Sequence, residues 1–199
     1  MDDGSGAMKR VMKRVIDIVV SGSALLLMWP VMALMAIAIR WCDGGPVLFR
    51  QTRPGYKGKA FTLLKFRTMS DRRDAHGQLL PDDERLTPLG QLLRGLSLDE
   101  PPQLWNVLRG DMSLVGPRPE RPEFVERLKA AIPYYDWRHS VRPGITGWAQ
   151  IRYRYGSSIE DGREKLRYDL FYIKNISPGL DFLIMFDTIK TILLGRGAK

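Results

Sequence analysis

From Val15 to Ile39 the chain is apolar at nearly every position, and Asp17 is the only ionisable side chain in the run. As a straight helix this stretch would measure roughly 37 Å at ~1.5 Å per residue, enough to cross a hydrocarbon core of about 30 Å. A single membrane-spanning helix is the simplest reading of that length. Three features argue for another path. Pro30, near the midpoint, removes a ladder hydrogen bond and crowds the preceding turn, which predicts a kink and two half-helices too short to span. Trp29 sits beside it, although tryptophan favours the membrane interface over the centre. Lys9, Arg10, Lys13 and Arg14 precede the run and Arg40, Arg50, Arg53, Lys57 and Lys59 follow it, so the positive charge asks for both flanks on the cytoplasmic side. A re-entrant helix over residues 8–41 meets that demand. Asp17 is then expected to pair with Lys13 or Arg14 one turn back.

After Gly44-Gly45-Pro46 the pattern becomes that of a water-exposed domain, taken here as residues 42–179. The run Ala60 to Met69 is rich in β-formers and reads as a strand, and its period of two puts Lys65 and Arg67 on one face. Thr87-Pro88 predicts a helix start, with Thr87 as cap and Leu89, Leu92, Leu93 and Leu96 along the helix. Further helices are expected from Asp99 to Leu108 and from Arg121 to Ile132. Gly116-Pro117-Arg118-Pro119 and Arg142 to Gly147 are loops, by their proline and glycine. The last stretch, residues 180–199, carries an amphipathic helix that either lies on the membrane surface or packs on the domain core.

Charge narrows the partners without choosing one. The chain has 31 Lys+Arg against 22 Asp+Glu, a net +9, which suits phosphate-rich partners: anionic lipid, nucleic acid or nucleotides. Cys42 is the only cysteine, which excludes an intramolecular disulfide framework and a multi-cysteine metal site. Residues 1–7, small or acidic ahead of a second methionine at Met8, read as an appended leader.

The chemistry-bearing segment is Arg94 to Gln103. Ser97 to Glu100 fits an S-x-x-E capping box, which would make Asp99 and Glu100 ordinary helix-start residues. Pro101 and Pro102 speak against it. Pro101 would fall where the ladder already needs an N–H, whereas with Asp99 as the cap both prolines sit at positions whose missing N–H groups a capping carboxylate would otherwise accept. Asp99 is then free to meet a metal ion or a phosphorus centre, and a carboxylate so placed can act as a covalent nucleophile when cations screen its charge. Arg94, Lys65 and Arg67 are candidates for that screening, and Mg²⁺ for a bridge to phosphate. Arg118 and Arg142, in constrained loops, are candidate phosphate contacts or simply solvated arginines. His76 and His139 are isolated, and Asp82-Asp83-Glu84 reads as a solvated turn. The sequence contains no G-x-x-x-x-G-K-[ST], G-x-G-x-x-G or H-E-x-x-H pattern, so ATP hydrolysis and zinc proteolysis lose their usual signatures.

Lys65-Phe-Arg-Thr-Met69, Ser97-Leu-Asp-Glu-Pro-Pro-Gln103, Gly116-Pro-Arg-Pro119 and Arg142-Pro-Gly-Ile-Thr-Gly147, in this order behind a proline-broken apolar run, resemble the bacterial sugar transferase family, the monotopic phosphoglycosyl transferases. The resemblance covers about Met8 to Lys199. It implies an α+β fold with a re-entrant membrane helix, a small and mainly helical catalytic domain, little sheet, and interfacial amphipathic helices. It also implies transfer of a sugar 1-phosphate from a nucleotide diphosphate sugar, with UDP the expected nucleotide, to undecaprenyl phosphate at the cytoplasmic face of a bacterial inner membrane. Such a step begins glycoconjugate or exopolysaccharide synthesis. By the same resemblance Asp99 is nucleophile and Mg²⁺ ligand and Glu100 its dyad partner. Lys65, Arg67, Arg94, Arg118 and Arg142 surround phosphate or nucleotide, and Pro117, Pro119, Pro143 and Gly144 shape a nucleotide loop. Membrane lipids are implied partners, nucleic acid is not, and a homo-oligomer is left open.

One departure stands out: the kink dipeptide is Trp29-Pro30 where the family carries Ser-Pro. Larger family members add further membrane helices and another domain, so the chain is either a small member or the catalytic portion of one. Two rival readings stay open, direct single-step attack by the acceptor and a non-catalytic, basic membrane-surface protein. The sugar is not legible.

Overall fold

In a computed structural model the chain is described over residues 4–153, 156 and 158–193; parts of the expected leader (1–3) and of the C-terminal segment (194–199) lie outside these. The fold is α+β and mostly helical, as expected, with two small two-stranded sheets. Helix α1 spans Gly4–Asp43, β1 Leu48–Pro54, β2 Ala60–Phe66, α2 Asp82–Arg85, α3 Pro88–Gly95, α4 Gln103–Arg109 and β3 Ser113–Val115. Then follow α5 Pro122–Ala131, β4 Gly144–Thr146, α6 Trp148–Arg152, α7 Ile159–Lys174 and α8 Pro178–Leu193.

Pro30 lies inside α1, which is a single helix of 40 residues rather than two separate halves. One missing ladder bond in so long a helix does not end it. The helix is long and apolar enough to cross a membrane. Its side toward the domain carries Asp17 and Ser21, both buried, then Ala24, Leu25, Met28, Met32, Met35 and Ile39. Its large apolar residues Leu26, Leu27, Trp29, Leu34 and Ile37 are exposed. Asp17 does not pair with Lys13 or Arg14. It accepts from Ser113 Oγ and the Leu114 N–H, both at 3.0 Å, while Lys13 bonds Asp181 at 2.7 Å and Arg14 caps the end of α4 through the carbonyls of Val107 and Leu108. A helix C-terminus presents unpaired carbonyls and a partial negative charge, which outbids a neighbouring side chain for the guanidinium.

β1 and β2 form an antiparallel hairpin with Leu48 opposite Phe66 and Pro54 opposite Ala60. Phe61 and Leu63 on β2 pack with Leu104, Val107, Met112, Leu114, Val115, Tyr172 and Ile184 in the central core. Among the described residues the outer edge of β2 meets no third strand. Instead the buried amide of Asn106 donates to Thr62 O and accepts from the Leu64 N–H, and the Phe66 N–H donates to Asp99 O. Three alternate edge groups are thereby satisfied by the 99–106 segment, which fixes α4 against β2. The strand ends at Phe66, short of the expected Met69.

Candidate active site

Helix α3 starts as expected: Thr87 accepts from the Gly90 N–H at 2.9 Å and Pro88 follows it. Gly90 lies so close to the Thr68 carbonyl that a Cβ would collide with it, and this close approach carries Arg94, one turn on, to a 3.0 Å bond with Thr68 Oγ1. The capping box that the prolines spoke against is absent among the described residues, and Asp99 is not a helix cap either. Ser97, at φ 55°, closes α3 instead: its N–H bonds Arg94 O and the Leu98 N–H bonds Leu93 O. That pair is the Schellman arrangement, which needs one left-handed residue past the helix end. The following helix is correspondingly late, starting at Gln103 rather than near Asp99. The N–H groups of Gln103, Leu104 and Trp105 bond the carbonyls three residues back, so the two prolines occupy a tight turn that leads into α4.

Asp99 and Glu100 sit in the connection between α3 and α4, followed by two residues without N–H groups. The Glu100 carboxylate is turned to cations, and that of Asp99 meets Lys65 and its own backbone amide. Lys65, on the β2 face shared with Phe61 and Leu63, is 2.7 Å from Glu100 and 3.6 Å from Asp99. Arg118 reaches Glu100 at 2.7 Å. Burial alone would push the Glu100 carboxyl up, but Arg118 and Lys65 outweigh it and hold it at about 2. Burial pushes the Asp99 carboxyl the other way, above its ordinary value, with Glu100 adding to the rise and Lys65 and Arg94 opposing it.

Arg118 owes its position to a buried pair. Arg138 donates to Arg118 O at 2.9 Å and is held by Asp169 at 2.9 Å and by the Tyr135 hydroxyl at 2.6 Å. The expected loop from Arg142 to Gly147 instead contains β4, which pairs in parallel with β3, and this segment is bonded to residues 113–117 with Ser113 N–H on Pro143 O, Gly144 N–H on Pro117 O and Gly116 N–H on Thr146 O. Gly144 stands so close to the Gly116 backbone that a Cβ would collide with it, so it serves the approach of the two segments. The space bordered by Pro117 and Pro143 is only about 10 Å³, too small for a nucleotide; Pro119 also borders a larger cavity of about 120 Å³ beside Lys65.

The structure does not bring all the expected cations together. Arg67, one residue beyond β2, turns from the dyad to Met69 O at 2.7 Å and Asp71 at 2.9 Å, over Gly45. Lys65 and Arg67 therefore do not face one site, because the period-two pattern stops with the strand. Arg142 bonds Gly110 O and lies over the Tyr56 ring. Arg138, Asp169, Asn106 and Gln103 escaped the reading of the sequence: the first three bond residues of other elements, and Gln103 is buried with an unpaired amide nitrogen. Asp82 joins Arg85 and Arg121 on the surface.

Among the described residues no three or more His, Cys, Asp or Glu side chains converge on a metal position. A protein-only cage is thus not what these residues offer. Mg²⁺ commonly takes one or two carboxylates and completes its shell with phosphate oxygens and water, and an oxygen-only dyad beside Lys65 and Arg118 fits that mode.

The geometry is thus a buried carboxylate, Asp99, beside a second, Glu100, held ionised by Lys65 and Arg118, on a domain packed against a long apolar helix. A family model described as bacterial sugar transferase matches residues 8–195, and the chain belongs to that family. It is 47% identical over 94% of its length to a UDP-N-acetylgalactosamine-undecaprenyl-phosphate N-acetylgalactosaminephosphotransferase of Aeromonas hydrophila, of which it spans 45%. It is 46% identical to an uncharacterized sugar transferase, EpsL, of Bacillus subtilis, covering 95% of this chain and 91% of that one. It is 43% identical to a UDP-glucose:undecaprenyl-phosphate glucose-1-phosphate transferase of Caulobacter vibrioides, covering 91% of this chain and 69% of that one. The chain thus spans under half the length of the Aeromonas relative.

Proposed function

We propose that the protein transfers a sugar 1-phosphate from a UDP-sugar to undecaprenyl phosphate through a covalent intermediate on Asp99. The observation that carries the proposal is the contrast within the dyad: Glu100 is tied to Lys65 and Arg118, whereas Asp99 is buried, has no capping role and meets only Lys65, at 3.6 Å, among ion-pair partners in the described residues. In the first half-reaction an Asp99 oxygen bonds the donor's β-phosphorus while the bond from that phosphorus to the bridging oxygen breaks, and UMP leaves with the electron pair. In the second, a phosphate oxygen of undecaprenyl phosphate bonds the same phosphorus and the bond to Asp99 breaks, restoring the carboxylate. Lys65, Arg94 and Arg118 offset the negative charge that gathers as the anions meet. When bound at Asp99, Mg²⁺ supplies further charge neutralisation toward the diphosphate.

Support for the acceptor's site comes from α1. Asp17 and Ile39 both pack on the one domain, and the helix between them rises about 33 Å at ~1.5 Å per residue, comparable to a hydrocarbon core of about 30 Å. A crossing helix would drag that domain through the bilayer, so α1 is read as re-entrant, with its exposed apolar side in lipid and the domain on the cytoplasmic face of the inner membrane. Helix α8 has the same inverted character, with Phe182, Phe186 and Ile189 exposed while Asp181 and Ile184 are buried, and it is read as lying on that surface. The test is intact-protein mass spectrometry after brief exposure to donor and Mg²⁺. A sugar-phosphate adduct is expected on the peptide containing residues 97–103, and an adduct that persists unchanged in Asp99→Asn would overturn the assignment.

A further inference from the structure

Beside the dyad, on the far side of Lys65 and Arg118, lies the cavity of about 120 Å³, bordered also by Arg53, Gln103, Glu120 and Phe124. Gln103 is 1% exposed, yet its amide nitrogen has no hydrogen-bond partner. The same is true of the buried Nε of Arg53, although the rest of that guanidinium is fixed by Gln51 at 2.6 Å and Pro119 O at 3.3 Å. Among the described residues only two other buried side-chain polar atoms go unpaired, Ser21 Oγ and Gln150 Oε1, and neither residue borders this cavity. An unpaired buried donor costs about 1–3 kcal/mol. Two such donors at one cavity mark a place where acceptors arrive from outside the protein. The wall carries Arg53, Lys65, Arg118 and Arg121 against the single carboxylate of Glu120, so it is short of negative charge.

The expected occupant is therefore anionic and rich in acceptor oxygens. Two phosphates besides the one attacked take part in the reaction proposed above: the donor's α-phosphate and the acceptor's phosphate. No lining residue belongs to α1 or α8, the two helices with outward apolar faces, whereas a polyprenyl chain has to stay in lipid. We infer that this cavity holds the water-soluble nucleoside monophosphate half of the donor, through Arg53 on phosphate oxygen and the Gln103 amide on a carbonyl or hydroxyl oxygen. The inference rests on the transferase reading. Phe124, 38% exposed at the rim, offers an aromatic edge to the nucleoside.

Calorimetric titration of UMP into the full chain in detergent tests this without turnover. Gln103→Met keeps the side chain's shape without its donors, and Arg53→Lys keeps charge without Nε. Each is expected to weaken UMP binding at least ten-fold and to raise the donor KM by a similar factor, with the undecaprenyl phosphate KM within two-fold of wild type. Phe124→Ala, at an accessible position, is expected to weaken UMP binding about three-fold and covers the case in which a buried variant fails to fold. UMP affinity within two-fold of wild type in the folded variants overturns the inference, as does a rise confined to the acceptor KM. Wild-type protein that binds UMP but yields no transfer product would remove the transferase reading and leave the UMP site standing. Active wild type with unaffected variants would do the reverse.

Discussion

Asp99 and Glu100 carry the same functional group one residue apart, and their surroundings drive them in opposite directions. Lys65 and Arg118 hold Glu100 at about 2 against an ordinary 4.5. A carboxyl lowered on folding stabilises the fold above its ordinary value, and that contribution, about 3 kcal/mol at neutral pH, is lost as the pH falls from about 4.5 through about 2. Asp99 has the opposite sign: its raised pKa favours folding at low pH and opposes it once the group ionises. Thermal unfolding in Mg²⁺-free detergent at pH 7 and pH 3 is expected to show a larger acid loss for wild type than for Glu100→Gln. Equal losses would mean that the two cations do not stabilise the Glu100 carboxylate. That Pro101 and Pro102 offer Asp99 no N–H was legible, because a missing N–H is a property of the residue itself, but the register that made Asp99 a helix cap was not met, since α4 starts at Gln103. The role of Ser97 was not legible, since the same S-x-x-E spelling serves a capping box or a left-handed helix end, and packing of Leu98 with Leu93 in one cluster goes with the second.

At the scale of elements, α4 and β2 depend on one side chain. Asn106 is fully buried and supplies both bonds along the β2 edge at Thr62 and Leu64. Asn106→Leu removes them while leaving two buried backbone groups unpaired. The expected cost is about 2–4 kcal/mol, read as a lowered thermal midpoint, together with weaker activity as Lys65 drifts from the dyad. Retention of wild-type stability would place the anchoring of β2 elsewhere. Helices α3, α5 and α8 were legible from apolar spacing and from Thr87-Pro88, with α5 within a residue of its expected bounds, whereas α2, α6 and the long α7 were not foreseen. Arg67 shows the limit of periodicity, for the pattern carries no mark of where a strand stops. The apolar run gave α1 its existence but not its partners, because Asp17 meets Ser113 and Leu114 nearly a hundred residues away. Its topology is open to cysteine labelling near Lys9 and Lys57: modification of both from the cytoplasmic side is expected, and modification from opposite sides would restore a spanning helix.

At the scale of the whole molecule, the proposed function joins a membrane-held surface to a covalent transfer. Helices α1 and α8 face outward with apolar side chains, and under the proposed reaction the site between α3, α4 and β2 has to receive a water-soluble donor and a lipid-held acceptor. Splitting the reaction lets those two substrates be handled in turn rather than together. The most direct test is the release of UMP from an accepted UDP-sugar with Mg²⁺ and no undecaprenyl phosphate. A rapid burst of about one UMP per active site, abolished in Asp99→Asn, is expected. UMP release that begins only when undecaprenyl phosphate is added, or an Asp99→Asn enzyme that transfers at the wild-type rate, would contradict the covalent route.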